Sequence, residues 1–275
     1  MAAESNSPRK RLLPVRLGRW AVRTGLRLMG ARERRVWRAE AGIPDMADSL
    51  IALRGRGFQP ARAVDIGACV GRWTYMFAGV FPDARVLMVE PQASHIPALA
   101  EVAANLAPNV GYAQALLGAE AVAQVPFVVL DDGLGGTGSS VFPENSNVPR
   151  HTIGMPMQTL TALVEATGFG QPDFLKLDVQ GYELEVLKGA RSLLRGVQFI
   201  LLEVSTWPYN VGAPLLHEVV ARLSDAGFAA YDLCGVSRRP DATLLQLDLL
   251  FVNRSSPLLK ETRTLFARWQ PDAGI

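Results

Sequence analysis

Three stretches of this chain are apolar without alternation, and that continuity constrains the fold more than any other feature. Residues 197–205 read VQFILLEVS, residues 85–91 read RVLMVEP and residues 63–68 read AVDIGA. A strand with one wet face alternates; a continuous run is covered on both faces, as central strands of a parallel sheet are. Helix-compatible segments separate such runs: residues 71–81, residues 94–106 with Ser94 as N-cap, residues 160–167, residues 181–196 closed by a glycine, and residues 214–226. Further strands are expected at 110–118, 172–181, 229–234 and 245–253. A hairpin is expected from 125–133 and 139–142, around Gly133, Gly135, Gly136 and Gly138. Strands joined through helices take right-handed crossovers, which build a parallel sheet with helices on both faces. The expected fold is a doubly wound α/β domain over residues 59–255. A basic helical extension over 1–58 precedes it, and a tail or helix over 256–275 follows.

The length of 275 residues and a hydrophobic content of 49% suit a chain with a sizeable core. No apolar stretch reaches the roughly 20 residues of a spanning helix. The longest candidate, 244–252, is broken by Gln246 and Asp248. Two distant cysteines, Cys69 and Cys234, exclude a disulfide scaffold and a cysteine zinc site.

The net charge of +2 conceals an asymmetry: residues 1–40 hold eleven Lys or Arg against Glu4, Glu33 and Glu40, and the remainder is net acidic. The body is therefore a poor nucleic-acid surface, and no nucleic-acid partner is expected. On a helical wheel Arg16, Arg19, Arg23 and Arg27 share a stripe opposite Leu13, Leu17, Trp20, Ala21 and Leu28. Such a helix suits either docking on the body or peripheral contact with an anionic membrane through residues 9–29. Arginines interrupt any signal-peptide core, and the expected location is cytoplasmic, or peripheral at the membrane surface.

In a doubly wound sheet, ligands bind beyond the carboxyl ends of the strands. Four ends carry the relevant residues: 65–71, Glu90, 178–183 and 203–207. In Asp65-Ile66-Gly67-Ala68-Cys69-Val70-Gly71, Gly67 turns the chain out of the strand and Gly71 opens the next helix. Glu90 ends the second strand, where a carboxylate accepts both ribose hydroxyls of a nucleoside. The pyrophosphate fingerprint G-x-G-x-x-G is absent, because Cys69 stands at its middle glycine. The pair points to an adenosine-type ligand without a pyrophosphate.

AVDIGACVG followed by VEP resembles the first two motifs of the class I S-adenosylmethionine-dependent methyltransferases. DFLKLDVQGYELEVLKGA (173–190) and FILLEVS (199–205) are similar to the FkbM-type subfamily. MQTLTAL (157–163) lies where that family has a T-L-D segment. The resemblance covers about residues 60–255. Two positions depart from it: Cys69 stands where the family usually has Asn, and Thr161 where it usually has Asp. The resemblance implies a Rossmann-like seven-stranded sheet with its last strand antiparallel. It implies S-adenosyl-L-methionine as cofactor, held by Asp65, Gly67, Ala68, Gly71, Glu90 and Pro91. The implied reaction is in-line transfer of a methyl group to an acceptor.

Transfer to a hydroxyl needs alignment, exclusion of water and a group that manages the acceptor's proton. Asp178, ending the strand beside the first, is the leading catalytic candidate, as base, donor-amine contact or metal ligand. Lys176 lies two residues earlier on the same face. Glu203 ends the most apolar strand, and His151 lies in a polar segment that a loop over the cleft brings in as base. Glu183 lines the cleft or stabilises a helix N-terminus. His95 and His217 are expected on helix surfaces. Trp207 and Tyr209 flank an acceptor or pack as core edges, and 131–150 is expected as a lid. No spacing demands a metal. The expected activity is O-methylation of a hydroxyl on a small molecule, sugar or glycan. The alternatives are carboxyl or nitrogen methylation, or a non-enzymatic protein that binds polyanions or membranes through its basic segment.

Overall fold

The computed structural model describes residues 29–131 and 138–260. The arginine stripe at 16–27, Gly133, Gly135, Gly136 and the tail 261–275 lie outside the described residues. The chain divides into two units, 1–44 and 45–275. In the first, α1 (Ala31–Glu40) starts with Glu33 accepting the Gly30 amide at 2.7 Å. In the second, α2 (Met46–Gly55) is capped by Asp45, whose carboxylate accepts the Asp48 amide at 3.1 Å. The sequence assigned 46–58 to the leading extension. Here Leu50, Leu53 and Phe58 are buried in the core of the second unit.

The remaining elements follow in chain order: β1 (Arg62–Ile66), α3 (Arg72–Val80), β2 (Arg85–Glu90), α4 (Ile96–Asn105), β3 (Val110–Gln114), β4 (Leu116–Leu117), β5 (Val122–Leu130), β6 (Arg150–Gln158), α5 (Leu160–Thr167), β7 (Phe174–Leu177), α6 (Glu183–Gly189), β8 (Phe199–Ser205), α7 (Leu216–Asp225), β9 (Phe228–Arg238), β10 (Leu244–Asn253) and α8 (Pro257–Lys260). Seven strands form one sheet in the order β3-β2-β1-β7-β8-β10-β9. β10 runs antiparallel to both β8 and β9. The other pairings, β1 with β2 and β7, β2 with β3, and β7 with β8, are parallel. The continuous apolar runs are the buried central strands: Phe199, Ile200 and Leu202 are 0% exposed. Leu175, Leu177, Ile200 and Leu202 join the core on one face of the sheet, whereas Phe174, Phe199 and Leu201 join the core on the other. Aromatic rings fill the second face, with Phe58 on Phe199 at 4.7 Å and Trp73 on Phe77 at 4.7 Å.

The strands, turns and helices depart from the sequence expectations at four further places. Residues 110–118 do not form one strand. The chain leaves the main sheet at Ala115, and β4 pairs with β6 in a second, three-stranded sheet. The expected hairpin of 125–133 with 139–142 is instead β5 paired antiparallel with β6, and 139–142 contributes a single bridge, Val128 to Ser140. β6 escaped sequence reading because His151–Gly154 is exposed, which removes the apolar alternation that marks a half-buried strand. Ser94 is not an N-cap: it lies within a 3-10 turn (Ala93–His95), and no side chain caps α4. The helix expected over 181–196 is regular only to Gly189 and continues as turns.

Phe199 is 0% exposed and touches the rings of Phe58 and Tyr231. Phe199→Ala is expected to lower the unfolding free energy by about 3–5 kcal/mol, through lost burial and a residual cavity, as read by urea denaturation.

Candidate active site

The site begins with a buried cation. Lys176, in β7, is the register partner of Asp65 in β1, so the two side chains share a face. Lys176 Nζ lies 3.1 Å from Asp65 Oδ1, donates to Gly67 O at 2.9 Å and stands 3.6 Å from Asp178 Oδ2. Thr74 Oγ1 donates to the other Asp65 oxygen at 2.8 Å. Burial works against the ammonium, but the carboxylates of Asp65 and Asp178 outweigh it, and the Lys176 pKa is raised. A buried pair is tolerable when its remaining valences are met, and here a hydroxyl and a carbonyl meet them.

This pairing fixes the turn after β1. Gly67 has φ +73, and a Cβ there would stand 2.0 Å from Asp178 O, so the residue must be glycine. The Gly67 and Ala68 amides donate to Val89 O at 2.9 and 3.1 Å. The Cys69 amide donates to Glu90 Oε2 at 2.9 Å, and Gly71 stands at the N-cap of α3. Glu90 Oε1 accepts the Gln92 amide at 3.0 Å and lies 3.3 Å from His95 Nδ1. The sequence expectation put His95 on a helix surface. It is 4% exposed, because the 3-10 turn folds its ring back onto Glu90.

A cavity of about 40 Å3 lies at the carboxyl ends of β1, β2 and β3, lined in part by Gly67, Glu90, Pro91, Leu116, Asp178 and Tyr182. Ser139, Ser140 and Val141 form another of its walls. Ser140 Oγ bonds to the Val179 and Gln180 carbonyls at 3.2 and 3.0 Å. The segment 139–141 is therefore tied to the turn that follows Asp178. Of the cofactor-binding candidates, the structure brings Gly67, Glu90 and Pro91 to this cavity. Asp65 and Ala68 are buried, Asp65 against Lys176.

Beyond Asp178 stands a second group of carboxyls. Glu203 Oε1 accepts from Gln180 Nε2 at 3.0 Å and from Gln246 Nε2 at 2.7 Å. Gln180 Nε2 also donates to Asp178 Oδ1 at 2.9 Å. Burial, then the charges of Asp178, Asp248 and Glu183, push the Glu203 carboxyl up to about 9. Burial and the Asp178 charge push Asp248 up to about 6. Glu183 is 3% exposed, and burial raises it to about 7. Its Oε1 accepts the Val179 and Gly181 amides at 3.0 and 3.1 Å, so it fastens the turn that carries Asp178. His151 lies on β6 with its ring half exposed and 3.1 Å from Asp131 Oδ2, and it does not line the cavity. Trp207 is exposed, with Arg239 over its ring at 5.2 Å. Burial and a hydrogen bond to Glu144 raise Tyr209 to about 12. Among the described residues no cluster of three or more His, Cys, Asp or Glu is placed to hold a metal.

Gln180, Gln246 and Asp248 were not singled out as site residues from the sequence. The signal was present for two of them: Gln246 and Asp248 interrupt an apolar strand at a spacing of two, which puts both on one face.

Two consequences are measurable. Lys176→Met leaves Asp65 as a buried uncompensated charge and is expected to cost about 3–5 kcal/mol of stability. Asp65→Asn added to that change is expected to recover part of the loss, and an unrecovered loss in urea denaturation would contradict the pairing. The second concerns pH. The Glu203 carboxyl is raised on folding, so the folded protein keeps a proton that the unfolded chain releases. Its contribution is full below the ordinary value of 4.5 and is lost as pH rises through about 9. Stability is expected to fall across that window, with a shallower slope in Glu203→Gln, measured by denaturation at several pH values.

A sequence model of the FkbM methyltransferase domain matches residues 65–230. The curated hexuronic acid methyltransferase AglP of Haloferax volcanii is 40% identical over 52 residues, 18% of this chain and 22% of that protein. The crystal structure of methyltransferase FkbM from Methylobacillus flagellatus KT superposes with a TM-score of 0.46 at 18% identity, covering 69% of this chain and 43% of that one. The 1,6-didemethyltoxoflavin-N1-methyltransferase of Burkholderia thailandensis, solved with S-adenosylhomocysteine bound, gives 0.44 at 16% identity, covering 92% and 93%. The chain thus spans less than half the length of the first two of these proteins. The family model matches more than half of this chain and includes Asp65, Glu90, Lys176, Asp178 and Glu203: the chain belongs to the FkbM methyltransferase domain family.

Proposed function

We propose that this protein is an S-adenosylmethionine-dependent methyltransferase that methylates a hydroxyl group on a small molecule, sugar or glycan. The observation that carries the reading is the meeting of the Gly67 turn, Glu90 and Asp178 around one cavity at the carboxyl ends of the parallel strands. These residues fit the donor. Glu90 Oε2 accepts the Cys69 amide and keeps a further lone pair for a ribose hydroxyl. The backbone from Gly67 to Cys69 is locked onto the end of β2, which preorganises the wall against which a nucleoside lies. A cavity of about 40 Å3 is smaller than a nucleoside, so its walls must move apart for one to enter.

When bound, S-adenosylmethionine supplies the methyl group. Asp178 stands at the edge of the cavity, where it accepts the proton that the acceptor hydroxyl loses. Lys176 and Gln180 hold its two oxygens. Glu203, on the far side of Gln180, belongs to the acceptor side. The described residues contain no helix long and apolar enough to cross a membrane.

Calorimetric titration with S-adenosylmethionine, S-adenosylhomocysteine and NAD tests the reading. Micromolar binding of both sulfur ligands and none of NAD is expected; NAD binding without them would reverse the assignment. Glu90→Ala is expected to weaken S-adenosylhomocysteine binding by about 1.5–3 kcal/mol, because charge-assisted hydrogen bonds are lost. An unchanged affinity would remove Glu90 from the ribose site.

A further inference from the structure

The carboxyls at this end of the sheet divide between one ammonium and a pair of carboxamides. Asp65, Asp178, Glu203 and Asp248 lie on one face: Lys176 is the register partner of Asp65, Asp178 follows Lys176 by two residues, and Asp248 is the register partner of Glu203. The bonds of the Lys176 ammonium run to Asp65, Gly67 O and Asp178. Glu203 is held instead by carboxamides, from Gln180 and Gln246. Gln180 sits at φ +54, a left-handed conformation that a residue with a side chain keeps only where its surroundings enforce it. Ser140, bonded to its carbonyl, is part of that enforcement. Asp248 has room because position 235 is glycine: a Cβ there would stand 2.0 Å from Asp248 Oδ2.

A second observation points to a ligand. Glu144 and Asn210 are partners in an isolated antiparallel bridge, so their side chains are neighbours. They are 6% and 2% exposed, yet Glu144 Oε2 and Asn210 Nδ2 have no hydrogen-bond partner. Tyr209, next to Asn210, hydrogen-bonds the Glu144 carboxyl, whose Oε2 remains without a partner, and feels the charge of Glu203; Asn210 packs beside Gly181, the residue after Gln180. A buried acceptor beside a buried donor is the complement of one hydroxyl group, which donates and accepts at once.

We propose that Gln180, Glu203, Gln246 and Asp248, continued by Glu144 and Asn210, form the acceptor subsite, and that this subsite takes an uncharged polyol and rejects a carboxylate-bearing one. The proposal rests on the methyltransferase reading above and deepens it. The subsite offers the second N–H of Gln246 and the carboxamide of Asn210 beside carboxyl acceptors, and Glu203, whose carboxyl is pushed up to about 9, adds an O–H donor. An ammonium group only donates, and a carboxylate only accepts. A carboxylate is normally met by an arginine fork or a free ammonium. Of the neighbouring cations, Arg150 donates to the carbonyls of Glu144, Ser146 and Val148. Arg239 lies on Trp207 and pairs with Asp241 at 3.8 Å. A uronate placed here meets Asp178 and Asp248 instead.

The test uses the full chain with S-adenosylmethionine and three matched acceptors: a methyl hexopyranoside, its uronic acid counterpart and its 2-amino counterpart. The neutral sugar is expected to show kcat/KM at least about tenfold above the other two. Asp248→Asn is expected to narrow the gap to the uronate. Gln246→Leu is expected to lower kcat/KM for the neutral sugar about tenfold while S-adenosylhomocysteine affinity, which reports folding, stays unchanged. Preference for the uronate or the amine overturns the proposal, as does tight S-adenosylhomocysteine binding without transfer to the neutral sugar. Failure to bind S-adenosylhomocysteine is a different result: it overturns the methyltransferase reading itself.

Discussion

The buried ion pair of Lys176 and Asp65 is the interaction on which the site depends. It joins the two central strands at the point where both leave the sheet. Its ammonium also holds the Gly67 carbonyl and one oxygen of Asp178. Two turns that are far apart in the chain are thereby held against each other, and the cavity for the proposed donor lies beside them. A hydrocarbon side chain at 176 would fill the same volume, but it would leave Asp65 charged and unmatched, which is the costly arrangement for a carboxylate at 0% exposure. Packing alone would not orient Asp178.

From that anchor the polar groups extend in one direction across the sheet. Asp65 and Lys176 pair at 3.1 Å. Asp178 is shared between an ammonium and a carboxamide. Glu203 is held by carboxamides and keeps its proton. Burial and like charges push the Glu203 and Asp248 carboxyls upward, because both disfavour the ionised form. A site built this way places the ion-paired Asp178 beside the proposed donor cavity and the carboxamide-held Glu203 on its far side. Two loops near this group are tied together by the Asn145 amide on Tyr209 O at 2.7 Å and the Val211 amide on Pro143 O at 2.8 Å.

Much of this was legible in the chain because strand ends are easy to find when the strands are continuous and apolar. Gly67, Glu90, Asp178 and Glu203 each follow such a run, and the topology then brings them to one edge. The burial of His95 was not legible, since its surroundings come from a 3-10 turn rather than from the helical pattern. The β5–β6 ribbon was missed for a similar reason. A strand exposed along much of its length carries no alternation, so His151 read as a loop residue when it stands on a ribbon beside Asp131. Glu183 had two readings, and a third role emerged, as acceptor for the two amides of the turn after β7.

The sequence by itself determined the architecture: the order of buried strands, the glycine at the first strand end and the acids at the others. These are local properties, set by periodicity and by backbone freedom. The tertiary structure decided the partners. It gave Lys176 to Asp65 before Asp178, bridged Asp178 and Glu203 through Gln180, and set Asp248 opposite Glu203. The physical reason is that hydrogen bonds and charge interactions act over a few ångströms between residues tens of positions apart, and only the register of the folded sheet defines those distances.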